Sequence, residues 1–184
     1  NQPESRIYLG DGSIAQTATK SNLTFSKQFV NDGSLYLYGS LNVSNNNFVG
    51  NNGGLTLIGG NLTMSSGAIS LSNSHRLIVL GYLSSNDAVN LNSSSKLYVA
   101  KYISINGLYG STITLNDNSY MIIGGSTQNY CSSININGGS KFWSFAPVWT
   151  TYVVNVESSS ADNLSEFFSN GKHTISQTDT AGKK

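Results

Sequence analysis

One short phrase, two apolar residues separated by a single position, returns along most of this chain just after a turn. It reads Leu35-Leu37, Leu55-Leu57, Leu77-Val79, Leu97-Val99, Met121-Ile123 and Phe142 with Ser144. From first member to first member the intervals are 20, 22, 20, 24 and 21 residues. A period in that range belongs to solenoids, whose repeats bury their apolar side chains by stacking on their neighbours. Apolar residues alternate with polar residues or tyrosine at period two, so the repeating unit is built of strands. The fold class this predicts is all-β, a parallel β-helix of about seven coils.

Each coil reads as three short strands. The phrase marks the first. A second carries Leu41-Val43, Leu62-Met64, Leu83 or Ile103-Ile105, and a third carries Ile69-Leu71, Val89-Leu91, Ile113-Leu115 or Ile134-Ile136. Between them lie Asn45-Asn46-Asn47, Gly53-Gly54, Gly59-Gly60, Ser65-Ser66-Gly67, Ser93-Ser94-Ser95 and Gly138-Gly139, residue types suited to tight corners. Residues 1–33 read as an irregular opening coil, with Ile7-Leu9, Ile14 and Leu23-Phe25 showing the same alternation. Residues 34–156 read as the regular β-helix, and 157–184 as a cap and polar tail. Within that cap, Asp162 to Phe168 predicts a short helix, with Ser160 or Asp162 as N-cap and Gly171 as its stop.

Side chains alternate across a strand, so the residues after the inward ones face outward. Taking Leu35, Leu55, Leu77, Leu97, Met121 and Phe142 as inward gives an outward column of Tyr36, Thr56, Ile78, Tyr98, Ile122 and Trp143. The next outward column is Tyr38, Ile58, Leu80, Ala100, Gly124 and Phe145. Together they predict an apolar and aromatic strip roughly 24 Å long at one strand spacing per coil. The third strands present Ser70, Asn90, Thr114 and Asn135 instead, which confines the strip to one face. Tyr36, Tyr38, Tyr98, Trp143, Ile78 and Ile122, with Tyr82 and Tyr102 beside them, are therefore the candidate ligand-binding residues. Three uses remain open. The strip is a platform on which sugar rings stack, a docking face for a protein partner or a second subunit, or a small second core covered by a loop, the C-terminal tail or a missing part of the polypeptide.

Composition narrows the chemistry. Ten percent of residues are charged and the formal net charge is +1, which gives no overall field drawing nucleic acid or an anionic membrane. No apolar run is long enough to span a bilayer, and no signal-like segment opens the chain. Asn1 opens it without an initiator Met, which reads as a mature form or a piece of a longer polypeptide, with any export signal or anchor outside these residues. Lone Cys131 has no internal disulfide partner and reads as a small packing residue. The Asn-x-Ser/Thr sequons at Asn22, Asn42, Asn61, Asn92 and Asn163 are what an Asn- and Ser-rich chain generates by chance.

Catalysis finds little to work with. β-Helical lyases and hydrolases need clustered carboxylates, whereas Asp11, Asp32, Asp87 and Asp117 fall at corners and do not recur at one position of successive coils. His75 and His173 lie in no ligand-spaced cluster and read as corner and tail residues. There is no phosphate-cradling loop, nucleophile elbow or calcium nonapeptide repeat, and Thr112-Ile113-Thr114 is not repeated as an ice-binding ladder would be. The sequence predicts no enzyme, no cofactor and no metal.

The stretch Leu-Tyr-Leu-Tyr-Gly-Ser-Leu-Asn-Val at 35–43, echoed at 55–64 and 97–105, resembles the solenoid region of bacterial pilin-like surface proteins. It is similar to the β-helical adhesins encoded beside type IV pili, among them the cellulose-binding tāpirins, over about residues 34–145. Bactofilins share the coil length but repeat more regularly and carry more charge. The resemblance to adhesins implies an extracellular or cell-surface, non-catalytic domain that binds an insoluble polysaccharide through aromatic and apolar residues. The pilin-like N-terminal helix of such proteins has no counterpart here.

Overall fold

A computed structural model describes residues 4–9, 22–107, 111–129, 133–150, 153–157 and 164–170. Ile14, Cys131, His173 and the tail from Gln177 lie outside the described residues. The described chain is all-β, a parallel solenoid with three strands to a coil. Face 1 is an eight-stranded sheet of Arg6–Leu9, Ser34–Leu37, Leu55–Ile58, Arg76–Val79, Lys96–Val99, Tyr120–Ile123, Lys141–Ser144 and Glu166–Ser169. Faces 2 and 3 are seven-stranded; Leu83–Ser85 and Ile103–Ile105 belong to face 2, Val89–Leu91 and Thr112–Leu115 to face 3. Every pairing is parallel, each strand bonded to the equivalent strand one coil on. The core runs up the middle as stacked layers in which Leu37, Leu62, Ile69, Leu77, Leu91, Ile113 and Phe142 are fully buried.

What fixes the register is the corner between face 3 and face 1. Five successive coils turn there through four residues, Asn51–Gly54, Ser72–His75, Asn92–Ser95, Asn116–Ser119 and Asn137–Ser140. In all five the two central residues are left-handed, with φ between 52° at Asn73 and 74° at Gly139. In four, the fourth amide donates back to the first carbonyl at 3.1–3.2 Å. This is the pattern of a type I′ turn. The turns also bond to one another: Ser74 N donates to Ser93 O, Ser94 N to Asp117 O and Asn118 N to Gly138 O, each at 2.8 Å. Beside them runs an amide ladder, Asn137 Nδ2 donating to Asn116 Oδ1 at 2.9 Å and Asn116 Nδ2 to Asn92 Oδ1 at 2.8 Å. The Asn- and Ser-rich composition is spent on this column.

Two expectations are corrected here. The first is the orientation of Leu55–Ile58. Because Asn51 opens the turn, Leu55 occupies the position of Arg76 in the next coil, and the strand pairs Leu35 with Thr56 and Thr56 with Leu77. Thr56 and Ile58 are therefore fully buried, and Leu55 and Leu57 face outward. A one-residue slip exchanges the two faces of a strand. The second is the C-terminal helix. Glu166–Ser169 is a strand that extends face 1, with Phe167 stacked on Phe142 at a centroid distance of 5.3 Å.

Burying Thr56 requires partners for its hydroxyl, and two buried polar side chains supply them. Asn31 Nδ2 donates to Thr56 Oγ1 at 2.7 Å and to Leu55 O at 3.1 Å. His75 Nδ1 lies 3.2 Å from Asn51 O, which only a protonated nitrogen can approach productively, so Nε2 is the acceptor of the Thr56 hydroxyl at 3.1 Å. Gly50 makes room for this ring, since a Cβ there would lie 2.4 Å from it. Desolvation holds the imidazole below its usual value of 6.5; Arg76 acts in the same direction, and the bond to Asn51 and the Asp32 carboxylate oppose it.

Two predictions follow from this corner. Ser74, exposed at φ 64°, should become more stable as Ser74→Gly by up to about 1 kcal/mol, because the left-handed cost for an L-residue is removed. Thermal melting should register that as a rise of roughly 2–4 °C, and an unchanged or lower midpoint would show the left-handed serine to be unstrained. Since the folded imidazole binds its proton more weakly than the unfolded one, His75 leaves stability untouched well above pH 6.5 and lowers it as pH falls through that value. Urea midpoints compared at mildly alkaline and mildly acidic pH should separate in the wild type and draw together in His75→Gln.

Candidate functional site

Face 1 carries the site, and each rung is supplied by one strand. Read through the register, its central outward column is Tyr8, Tyr36, Leu57, Ile78, Tyr98, Ile122, Trp143 and Phe168. No polar residue interrupts it. At one strand spacing per rung the ladder is about 34 Å long, longer than the sequence suggests because Leu57 replaces Thr56 and Tyr8 and Phe168 extend both ends. Tyr8 and Tyr36 stack at 4.6 Å with planes 5° apart. Tyr98 is 39% exposed and Phe168 48% exposed, so these rings meet solvent with a large part of their faces.

The second outward column is thinner than expected. It runs Tyr38, Gly59, Leu80, Ala100, Gly124 and Phe145, because Ile58 is buried and Gly59 takes its place. Tyr38 and Phe145 flank the ladder at the two ends of this column, and the glycines leave a gap on either side of Leu80 and Ala100. Tyr82 and Tyr102 stand apart from the ladder, just ahead of the face 2 strands Leu83–Ser85 and Ile103–Ile105. They form their own stacked pair at 5.0 Å and 12°. Of the expected site residues, then, Tyr36, Ile78, Tyr98, Ile122 and Trp143 share one column, Tyr38 sits beside it, and Tyr82 and Tyr102 occupy the corner between faces 1 and 2.

The ladder is framed on its other side by a column that the sequence reading did not single out: Arg6, Ser34, Leu55, Arg76, Lys96, Tyr120, Lys141 and Glu166. Lys96 Nζ lies 5.6 Å from the Tyr120 ring centroid and Lys141 Nζ 5.9 Å from that of Trp143. Glu166 accepts from Lys141 Nζ at 2.6 Å and from Trp143 Nε1 at 3.3 Å, which fixes one edge of the indole. The Lys141 contact holds the Glu166 carboxyl below its usual range, and the Lys141 ammonium is raised in turn. Between these columns, Arg76, Ile78, Lys96, Tyr98, Tyr120 and Trp143 surround an open depression of about 360 Å³.

The other two faces are polar over their middle coils, with Val30 and Val49 the outward residues at the N-terminal end of face 3. Face 2 presents Asn42, Thr63, Ser84 and Ser104, and face 3 presents Ser70, Asn90, Thr114 and Asn135. Among the described residues no three His, Cys, Asp or Glu side chains gather where they could hold a metal ion, and no helix is long and apolar enough to cross a membrane. His75, expected at a corner, is at a corner, but its ring is inside the core. No protein-family model, curated protein or solved structure matches this chain.

The register itself is open to test at this site. Leu57→Ser should change stability by about 1 kcal/mol or less, as surface substitutions do, whereas Ile58→Ala should cost about 2–5 kcal/mol through the cavity it leaves. Denaturant titrations giving the reverse order would place Leu57 inside and break the ladder.

Proposed function

We propose that this chain is a non-catalytic surface adhesin domain that binds polysaccharide through the ladder of face 1. The observation that carries the reading is the contrast among three faces of one fold. Over their middle coils faces 2 and 3 are built with Ser, Thr and Asn outside, and Val30 and Val49 at the N-terminal end of face 3 depart from this, so a continuous apolar outer column is no requirement of the architecture. Eight uninterrupted apolar or aromatic rungs exceed what solvent-facing positions need, and exposed patches of that extent mark interaction surfaces. The shape suits an extended chain: the rungs form a shallow, straight row, and tyrosine and tryptophan faces stack against the apolar faces of sugar rings while their polar atoms bind hydroxyls. An extracellular or cell-surface location, with cellulose among the candidate polymers, belongs to the same proposal and is supported by the resemblance to pilus-associated β-helical adhesins.

The test is a pull-down on insoluble cellulose, xylan and chitin, with wild type beside Tyr98→Ala/Trp143→Ala. Wild type should sediment with at least one polymer. The double variant should lose about 1–3 kcal/mol per anchor while keeping its β-rich circular dichroism spectrum. Retention of both proteins alike, or binding of the wild type neither to these polymers nor to a soluble acidic polysaccharide, would overturn the proposal.

A further inference from the structure

The strands of faces 2 and 3 contain no charged residue among those described; every charged strand residue, Arg6, Arg76, Lys96, Lys141 and Glu166, is on face 1. All five fall in the single column that borders the apolar ladder. Each cation stands two residues ahead of a ladder residue on its own strand: Arg6 beside Tyr8, Arg76 beside Ile78, Lys96 beside Tyr98 and Lys141 beside Trp143. At the C-terminal end Lys141 is neutralised by Glu166, the one ion pair among the described residues. In the centre, Arg76 and Lys96 are adjacent rungs, both exposed, and no acidic side chain among the described residues pairs with them. They wall the depression that Ile78, Tyr98 and Ile122 help to line.

We infer that the polysaccharide taken by this platform is acidic, bearing carboxylates or sulfates, and that its anionic groups sit on Arg76 and Lys96 while its sugar faces lie on Ile78, Tyr98 and Ile122. The inference rests on the polysaccharide reading of face 1 and adds the chemical class of the polymer. Charge complementarity selects it. An arginine fork bonds a carboxylate or sulfate through two parallel N–H groups, and the ammonium of Lys96, already drawn over Tyr120, carries a second positive charge one rung away. Cations placed merely for solubility would serve as well on the other two faces, which have none in their strands. Single-stranded nucleic acid fits less well. Base stacking favours successive aromatic faces, and the central rungs Leu57, Ile78 and Ile122 are aliphatic around a single tyrosine.

Affinity electrophoresis of the full chain decides it, with polygalacturonate as the acidic polymer, a soluble neutral β-glucan as its uncharged counterpart and poly(U) as the nucleic acid. Polygalacturonate should retard the wild type at about tenfold lower concentration than the neutral glucan, and the preference should fade as NaCl is raised. In Arg76→Gln/Lys96→Gln the preference should vanish while any retardation by the neutral polymer remains. Equal retardation by acidic and neutral polymers, or a preference that survives in the variant, overturns this inference and leaves the broader polysaccharide reading standing. Stronger retardation by poly(U) overturns it in favour of nucleic acid. Retardation by no polymer, with none on insoluble cellulose, xylan or chitin, overturns both.

Discussion

A parallel solenoid coheres only if each coil comes back to hydrogen-bonding distance of the last in the same register, and here the left-handed turn closing face 3 enforces that return. Its two positive-φ residues reverse the chain in four positions, its closing bond holds the reversal, and its remaining amides reach the carbonyls of the next turn. A column of such turns is therefore a second ladder, set across a corner where flat strands cannot run. The amide side chains of Asn92, Asn116 and Asn137 repeat the same stacking with their own bonds. Each bond adds about 1 kcal/mol or less in net terms, but the column's larger effect is on specificity. By fixing where each face 1 strand begins, it decides which of two alternating sets of side chains is buried.

That decision explains what could and could not be read from the chain. The phrase at Leu97 was legible because aliphatic residues alternate with tyrosine in one frame only, and the second and third strands were legible by the same alternation; at Leu77 and Met121, where Ile78 and Ile122 make the run continuous, the repeat interval supplied the frame. Leu55-Thr56-Leu57-Ile58 alternates in both frames, with Leu55 and Leu57 in one and Ile58 in the other. Hydropathy prefers the first frame; the distance from Asn51 imposes the second. The segment from Leu164 to Phe168 misled in another way. Leu164, Phe167 and Phe168 are spaced like the apolar face of a helix, yet a free strand edge on face 1 rewards an extended chain with a full set of backbone bonds. His75 gave no local signal at all, since its partners Thr56 and Asn51 lie 19 and 24 residues before it.

The candidate site was legible in outline and wrong in detail, and its missing half was electrostatic. A net charge of +1 averages over the molecule. The fold does not average: it draws the charged strand residues into one column and gives that column a single apolar neighbour. The rail gives the surface a preference that apolar contact alone lacks.

The interior cluster and the outer face are consequences of the same register. Had Leu55 and Leu57 gone inward, they would have replaced Thr56 and Ile58 in the core, and no buried hydroxyl would have called for Asn31 and His75 beside it. Thr56 would then have interrupted the ladder between Tyr36 and Ile78, and the column before it would have begun one residue out of step with Arg76. Burying Thr56 and Ile58 in place of two leucines gives up roughly one leucine's transfer energy, about 1.5–3 kcal/mol, partly offset by the hydrogen bonds of Thr56 with Asn31 and His75. A sequence that accepts this loss in its core while keeping leucine at position 57 on the outside has the ordinary partition of apolar residues reversed at that strand. The register that keeps the Asn51 turn in step with the turns after it thus also keeps face 1 continuous.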